Sequence, residues 1–189
     1  MNYSDTNSKL ADYRRRIADL RQQMRELQAA VEPEEIRDYE FATVGGSIKL
    51  SKLFGTRRDL IVVHNMGVSC PYCTLWADGY NGIYEHIAQR AAFVITSPDE
   101  PEVQQSFARE RGWRFPIVSH KGTTFAADMG YRSNEGKPMP GLSVFRMDAG
   151  RIVRVSDARS EPGDDFCSLW HLFDLLPEGA DGFKPKFRY

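Results

Sequence analysis

The chain has 189 residues, of which 41% are hydrophobic and 27% charged, and its formal net charge is −1. This is typical of one soluble domain with an appendage, and the near-neutral charge gives no electrostatic reason to expect nucleic acid or an anionic membrane as a partner. No apolar run approaches the ~20 residues of a membrane-spanning helix. Because the N-terminus is polar and only three cysteines occur, we expect a cytoplasmic protein without a disulfide framework.

Residues 8–31 have the pattern of a long amphipathic helix that ends at Pro33. Its apolar residues alternate at spacings of three and four, the a/d seam of a short coiled coil: Leu10, Tyr13, Ile17, Leu20, Met24, Leu27 and Val31. So narrow a seam needs one partner surface. It either packs on its own domain or forms a homodimer through residues 8–31, and both alternatives stay open. We therefore predict a helical arm at 1–33 and one domain at 34–189.

The rest of the chain alternates between strand and helix patterns. Strands are predicted at 39–44, 47–50, 60–64, 92–96, 115–119, 141–147 and 151–156. Helices are predicted from residue 71 to about 90, from a Ser97 cap and Pro98 to the stop at Gly112, briefly at 126–131, and at 164–176. This order predicts an α/β sandwich with a mixed sheet, parallel across the first long helix and antiparallel in the last hairpin.

Cys70-Pro71-Tyr72-Cys73 lies between a buried-type strand and a helix. Amides and the positive dipole end at a helix N-terminus favour a thiolate, which is the attacking form of cysteine. A second thiol one turn further on can resolve a mixed disulfide. Pro71 suits the first turn, where a missing N–H costs nothing. We therefore predict a redox dithiol with Cys70 as nucleophile and Cys73 as the resolving thiol.

Two other interpretations of this motif stay open, a zinc site and an inert structural pair. Structural zinc usually has four protein ligands, whereas the only other cysteine is Cys167 and the four histidines are scattered. We expect no metal and no bound cofactor. Cys167 is predicted to be a small buried residue.

At residues 60–73 the chain resembles the thioredoxin superfamily, and its CPYC is the sequence that glutaredoxins commonly carry. Residues 47–54 resemble the segment before the active-site strand in the alkyl hydroperoxide reductase/thiol-specific antioxidant branch. Residues 76–78, 112–119 and 141–146 resemble a bacterial family of unknown function, whose members are often labelled predicted dithiol–disulfide oxidoreductases. The resemblance covers most of the chain and implies a thioredoxin-like three-layer α/β/α sandwich with an extra N-terminal helix.

Some positions depart from the related families. Peroxiredoxins of that branch have a Thr three residues and a Pro seven residues before the reactive Cys, where this chain has Gly67 and Val63. Thioredoxins have a buried Asp where this chain has His64. If His64 lies beneath the dithiol, it can accept a proton from Cys73; the alternative is a structural strand histidine. Superfamily members also have a cis-proline facing the CxxC. Pro140 occupies roughly that place, and its isomer stays open.

Three further side chains have two interpretations each. Tyr72 either stacks on a substrate or covers the sulfurs, and Trp76 either belongs to the core or forms a substrate platform. Arg114 either stabilises a thiolate or forms a salt bridge. The sequence predicts a thiol–disulfide oxidoreductase whose partners are protein or small-molecule thiols and disulfides. The alternatives are a thiol-based peroxide reductase or redox sensor, and a non-catalytic binding module.

Overall fold

The computed structural model describes residues 2–189, which divide into two compact units at Glu34/Glu35. The first unit is dominated by helix α1 (Tyr3–Ala30). The Asn2 side chain caps it by accepting a hydrogen bond from the Asp5 N–H at 2.8 Å, which explains why it begins earlier than the apolar pattern predicts. No residue of α1 is buried, so its apolar seam is exposed.

The described strands form one eight-stranded sheet in the order β1-β8-β7-β4-β5-β6-β2-β3. Strand β4 pairs in parallel with β5, and β5 with β6, whereas the pairs β4–β7, β7–β8, β2–β3 and β2–β6 are antiparallel. The mixed sheet and both predicted strand directions are thus confirmed. The strands are β1 (Glu34–Ile36), β2 (Glu40–Thr43), β3 (Gly46–Lys49), β4 (Asp59–His64), β5 (Ala92–Ser97), β6 (Ile117–Ser119), β7 (Gly141–Asp148) and β8 (Arg151–Arg159).

Two apolar clusters cover the two faces of this sheet, since successive side chains of a strand point to opposite faces. Val62 of β4 belongs to a cluster with Leu50 and Phe125, whereas Val63 packs with Trp76 and with other aromatic residues. Helices therefore lie on both sides, as the three-layer α/β/α sandwich requires. They are α2 (Leu50–Leu53), α3 (Pro71–Arg90), α4 (Pro101–Arg111), α5 (Phe125–Asp128) and α6 (Ser168–Phe173).

Two helices differ from their predicted bounds because polar side chains take other partners. Helix α4 begins at Pro101 instead of Pro98, since Ser97 remains in β5, where it pairs with Ser119 of β6. Helix α6 is only six residues long. Asp164 accepts hydrogen bonds from the backbone N–H groups of Phe166 and Cys167, which forms a turn where the pattern predicts a helix.

Two short elements were not predicted. Strand β1 has three residues, too few to show an alternating pattern, and α2 is a single turn of four residues. The turn between β7 and β8 is confirmed. Ala149 and Gly150 have φ angles of 48° and 83°, as the tight turn of a two-residue hairpin requires.

Candidate active site

Cys70 is the N-cap residue of α3, and Pro71 occupies the first turn. The Cys70 Sγ accepts a hydrogen bond from the Cys73 N–H at 3.1 Å. The Cys70 carbonyl accepts the Thr74 N–H at 3.1 Å and the Thr74 hydroxyl at 2.9 Å. In this arrangement the sulfur replaces the usual oxygen acceptor at a helix N-terminus. Both cysteines of the motif are free thiols in the described chain.

The two sulfurs differ in acidity. The hydrogen bond from the Cys73 thiol, helped by the backbone N–H groups of Cys73 and Tyr72, lowers the pKa of Cys70 to about 7 against the opposing effect of burial. The same hydrogen bond to Cys70, together with burial, raises the pKa of Cys73. The Met66 N–H points at the Cys73 Sγ from 3.4 Å. At neutral pH Cys70 is therefore partly ionised, whereas Cys73 keeps its proton.

The loop between β4 and α3 is held by two polar side chains that the sequence analysis missed. The Asn65 Oδ1 accepts the Gly67 N–H at 2.8 Å. The Asp99 Oδ2 accepts the Val68 N–H at 2.9 Å and the Ser97 hydroxyl at 2.9 Å. Gly67 has a φ of +118°, and a Cβ there would lie 3.1 Å from both Asp99 carboxylate oxygens. The only sequence signal for Asn65 and Asp99 is that they come just after the parallel strands β4 and β5.

His64 does not lie beneath the dithiol, as its predicted role in accepting a proton from Cys73 requires. Its ring stacks on Tyr131 at a centroid distance of 3.8 Å and on Phe125 at 5.3 Å. Its Nε2 is 2.9 Å from the Ser143 hydroxyl. These contacts are on the sheet face opposite α3, because the preceding Val63 packs on the α3 side. Burial lowers the pKa of His64 well below its usual value, so the ring is neutral.

Two aromatic side chains of α3 lie within two turns of the dithiol and pack with Trp170 of α6. The Tyr72 ring lies 6.2 Å from Trp76 and 6.4 Å from Trp170, between centroids. Trp76 is buried, and its indole N–H is shared between the two Asp164 carboxylate oxygens at 3.1 and 3.2 Å. Trp76 thus belongs to the core, while Tyr72 is half-buried above it.

The remaining predicted residues lie at different distances from the dithiol. Pro140 directly precedes Gly141, which pairs with His64 at the carboxyl end of β4, so it is at the same sheet edge as the CxxC. Residues 2–189 contain no cis peptide bond, so Pro140 follows a trans bond. Arg114 forms an ion pair with Glu85 at 2.9 Å. Glu85 lies 15 residues along α3 from Cys70, or about 22 Å. The salt-bridge interpretation of Arg114 is the one that the structure shows.

Cys167 is the N-cap residue of α6 and is buried in the cluster that contains Trp76 and Trp170. Burial raises the pKa of this thiol, as expected for a small core residue. Within the described residues, no group of three His, Cys, Asp or Glu side chains is arranged to hold a metal ion. None of the helices in the same range is long and apolar enough to cross a membrane.

A sheet with helices on both faces and a dithiol at a helix N-terminus is the architecture of thioredoxin-fold proteins. Several peroxiredoxins are among the solved structures that resemble this chain. Peroxidoxin BcpB from Mycobacterium tuberculosis is 26% identical, with a TM-score of 0.58 over 72% of this chain and 88% of that protein. Reduced Prx3 from Vibrio vulnificus is 11% identical, with a TM-score of 0.56 over 71% and 89%. The likeness to BcpB agrees with a thiol-based redox protein, and the likeness to Prx3 shows the shared fold.

The family follows from the sequence itself. Residues 7–187 match the family described as "Bacterial protein of unknown function (DUF899)", so the chain belongs to it. Among curated proteins, none matches this chain. The expected resemblance to a thioredoxin-like family near the peroxiredoxins is thereby confirmed.

Proposed function

We propose that this protein is a thiol–disulfide oxidoreductase in which Cys70 is the nucleophile and Cys73 resolves the mixed disulfide. The unequal protonation of the two sulfurs carries this proposal. With a pKa of about 7, Cys70 is substantially ionised at neutral pH while remaining a strong nucleophile. Cys73 keeps its proton until the second step, since its pKa is raised. This order of deprotonation fits a nucleophile followed by a resolving thiol.

The reaction has two steps. In the first, the Cys70 thiolate attacks one sulfur of a disulfide, the substrate S–S bond breaks, and the departing thiolate takes a proton from water. In the second, Cys73 loses its proton and attacks the Cys70 sulfur, which releases the second substrate thiol and leaves a Cys70–Cys73 disulfide. The substrate gains two electrons and two protons. The Met66 N–H at the Cys73 sulfur stabilises the thiolate formed in this step.

An external thiol must then reduce the Cys70–Cys73 disulfide. We propose the cytoplasm as the compartment for this cycle, since its thiol pools are reducing.

Peroxide reduction is the second candidate function, and the peroxiredoxin likeness favours it. The Cys70 thiolate would attack one oxygen of a hydroperoxide, the O–O bond would break, and Cys70 sulfenic acid and an alcohol or water would form. Cys73 would then condense with the sulfenic acid and release water. Gly67 and Val63, where related peroxidases have Thr and Pro, weigh against this candidate.

The pH dependence of alkylation tests whether Cys70 is an activated nucleophile. Reduced wild-type protein, Cys70→Ser and Cys73→Ser are treated with iodoacetamide from pH 5 to 10. We expect a wild-type titration near pH 7 that is lost in Cys70→Ser. A titration near the ordinary thiol pKa of ~8.5, indistinguishable between the two cysteines, would support the non-catalytic binding module instead.

A comparison of reaction rates with two substrates separates the two candidate activities. Reduced protein is mixed with hydroxyethyl disulfide or with hydrogen peroxide, and loss of the Cys70 thiol is followed in both. Faster reaction with the disulfide supports the oxidoreductase. Faster reaction with peroxide, with a sulfenic acid trapped in Cys73→Ser, supports the peroxidase or sensor.

A further inference from the structure

A groove of about 250 Å³ opens beyond the carboxyl ends of β5 and β6. Its lining comes from Pro98, from residues 120–123 and Ala126, and from four residues of the following loop, Tyr131, Arg132, Gly136 and Pro138. The side chains of His120, Lys121 and Arg132 line it, and none of its lining residues in the described chain is acidic. The chemistry of these side chains favours a ligand with a negative charge.

Arg132 is the main positive group of this groove. Its Nε donates to the Gly136 carbonyl at 3.0 Å, which fixes the plane of the guanidinium. Within residues 2–189 no carboxylate pairs with it. Lys121 is shared with Glu100 outside the groove, through an ion pair. A bound carboxylate would therefore complete the coordination of Arg132 rather than displace an existing partner.

His120 supplies a buried neutral donor beside Arg132. It is 8% exposed, and its Nδ1 lies 3.0 Å from the Thr96 hydroxyl. Burial, followed by the nearby Arg132 charge, lowers the pKa of His120 to about 4, so the ring is neutral at neutral pH. When the Thr96 hydroxyl donates to Nδ1, the proton of the ring is on Nε2. That N–H is a hydrogen-bond donor for an anion in the groove.

The groove and the dithiol share one edge of the sheet, with the groove on the face of Tyr131 and the dithiol helix on the opposite face. Strands β4, β5 and β6 run parallel, with His64 opposite Thr96 and Ser97 opposite Ser119, so all three end together. Neighbouring strands are ~4.8 Å apart, which puts the end of β6 about 10 Å from the end of β4. Asp99, next to the groove wall at Pro98, also holds the Val68 N–H two residues before Cys70.

We propose that this groove binds the carboxylate of a low-molecular-weight disulfide whose sulfur is attacked by Cys70. Arg132 and the His120 ring hold the carboxylate, and Lys121 adds positive charge. This inference rests on the proposed oxidoreductase function and names its substrate class. The chemistry at sulfur is that of the two steps above, with the substrate reduced by two electrons and Cys70–Cys73 oxidised.

Single-turnover reduction of three disulfides tests the charge preference. Pre-reduced protein is mixed with glutathione disulfide, hydroxyethyl disulfide or cystamine, which are anionic, neutral and cationic. We expect glutathione disulfide to react at the lowest half-saturating concentration. Loss of one charge-assisted contact in Arg132→Gln should raise that concentration about tenfold or more, with little effect on the limiting rate or on hydroxyethyl disulfide.

The matched control is Arg58→Gln, an exposed arginine that pairs with Asp148 near the other end of β4. Arg58→Gln should leave all three reactions unchanged. Lys121→Gln should raise the half-saturating concentration of glutathione disulfide by a smaller factor than Arg132→Gln does. Equal reaction of the three disulfides with wild-type protein overturns the proposal. So does an Arg132→Gln effect that is the same for the neutral and the anionic substrate.

Binding separates a failure of the groove from a failure of the chemistry. Calorimetric titration of Cys70→Ser protein with glutathione disulfide detects the groove without any reaction. Binding that Arg132→Gln abolishes and Arg58→Gln preserves supports the groove even if no disulfide is reduced, in which case only the proposed function fails. Absence of binding to Cys70→Ser overturns the inference.

Discussion

The acidity of Cys70 arises from two kinds of hydrogen bond at one sulfur. One comes from the Cys73 thiol, which has the largest effect on the Cys70 pKa, and the other from backbone N–H groups of the first turn of α3. The backbone donors are fixed by the helix, whereas the thiol donor exists only in the reduced protein. The largest part of the lowered Cys70 pKa therefore depends on the side chain at position 73.

Substitution of Cys73 separates the effect of its thiol on the Cys70 pKa from the effect of the backbone N–H groups. In Cys73→Ala, the pKa of Cys70 should rise above its wild-type value of about 7 because the largest stabilising contact is lost. It should stay below the pKa of an ordinary thiol, since the N–H of residue 73 still donates to the sulfur. The thiolate absorbance at 240 nm against pH measures it.

Cys73→Ser is the matched control because a serine hydroxyl can also donate to the Cys70 sulfur. Its Cys70 pKa should lie between those of the wild type and Cys73→Ala. Identical titrations of the two variants would contradict a donor role for residue 73.

Gly141 is required by close packing next to Pro140. A Cβ at this position would collide with the Tyr131 ring and lie 2.5 Å from the Ala158 carbonyl. The Tyr131 hydroxyl is fixed by the Leu142 carbonyl at 2.7 Å and the Ala158 carbonyl at 3.0 Å, so the ring cannot easily move away. Gly141→Ala should therefore lower the free energy of unfolding by about 1–3 kcal/mol, measured by urea denaturation.

The control for this prediction is Gly79→Ala in the exposed part of α3. A Cβ there meets nothing within 4 Å. Alanine has the higher helix propensity, so this variant should be more stable than the wild type by about 0.5–1 kcal/mol. An unchanged stability in Gly141→Ala would show that the Tyr131 ring yields without cost.

Some of the site could be predicted from the sequence because its chemistry is local. Cys70, Pro71 and Cys73 lie within one helical turn, and their spacing alone defines that geometry. Asp99 could not be found in this way, since its partner Val68 lies 31 residues away and the contact depends on parallel pairing of β4 with β5. The position of His64 depends on which face of β4 it points to, and a continuous apolar run does not reveal that face.

Helices and strands also differ in whether local sequence or distant contacts determine their bounds. Helix α3 and the strands on either side of it were predicted correctly because their apolar patterns are long. The start of α4 was predicted three residues too early, since Ser97-Pro98 has the composition of a cap and only sheet pairing reveals that Ser97 belongs to β5. The extent of α6 depends on Asp164, whose hydrogen bonds compete with the helix.

Helix α1 carries an unusual charge pattern beside its exposed seam. With Leu10 at position a of the heptad, the flanking e and g positions include Lys9, Arg14, Arg16 and Arg21 and no acidic residue. We propose a homodimer through residues 8–31, and a parallel pair would place Lys9 opposite Arg14 and Arg16 opposite Arg21. Self-association is therefore opposed by like charges.

Salt should strengthen this dimer, because it screens the repulsion. Between 50 and 500 mM NaCl we expect the dissociation constant to fall about 5- to 10-fold, for four pairs at ~0.3 kcal/mol each. Sedimentation equilibrium measures it. Arg14→Glu/Arg21→Glu should dimerise more tightly and lose affinity with salt, since the new pairs attract in a parallel arrangement.

Arg15→Glu is the control, since Arg15 lies on the outer side of the helix in an ion pair with Asp12. It should leave the dimerisation constant nearly unchanged. A chain that stays monomeric at every concentration and salt level would rule out the second-copy alternative. Tighter binding at low salt in the wild type would contradict the charge argument.

At the scale of the whole sheet, the two ends of β4 have different surroundings. The carboxyl end leads to the loop of Asn65 and to Cys70, the proposed nucleophile. The amino end is a polar anchor, where the buried Asp59 accepts hydrogen bonds from Arg146 of β7 at 2.7 Å and from Arg90 at the end of α3 at 2.7 Å. Asp59 thus joins the central strand to its neighbour and to the helix that carries the dithiol.

This anchor predicts how stability depends on pH. The hydrogen bond from Arg146, and then that from Arg90, hold the pKa of Asp59 below its usual 3.8. A carboxyl whose pKa is lower in the folded state stabilises the fold above its unfolded pKa, and this contribution disappears as the pH falls through the folded value. Asp59→Asn should lower the free energy of unfolding by about 1.5–3 kcal/mol at pH 7.

Urea denaturation of both proteins at pH 7 and below pH 3 checks this prediction. The difference between wild type and Asp59→Asn should shrink in acid, because Asp59 becomes protonated and loses its charge-assisted bonds. Asp148→Asn, at the exposed pair with Arg58, should change stability by less than about 0.5 kcal/mol at either pH. A difference for Asp59→Asn that is equal at both pH values would mean that shape rather than charge makes Asp59 important. In that case the amino end of β4 is held by packing, and the two arginines contribute little.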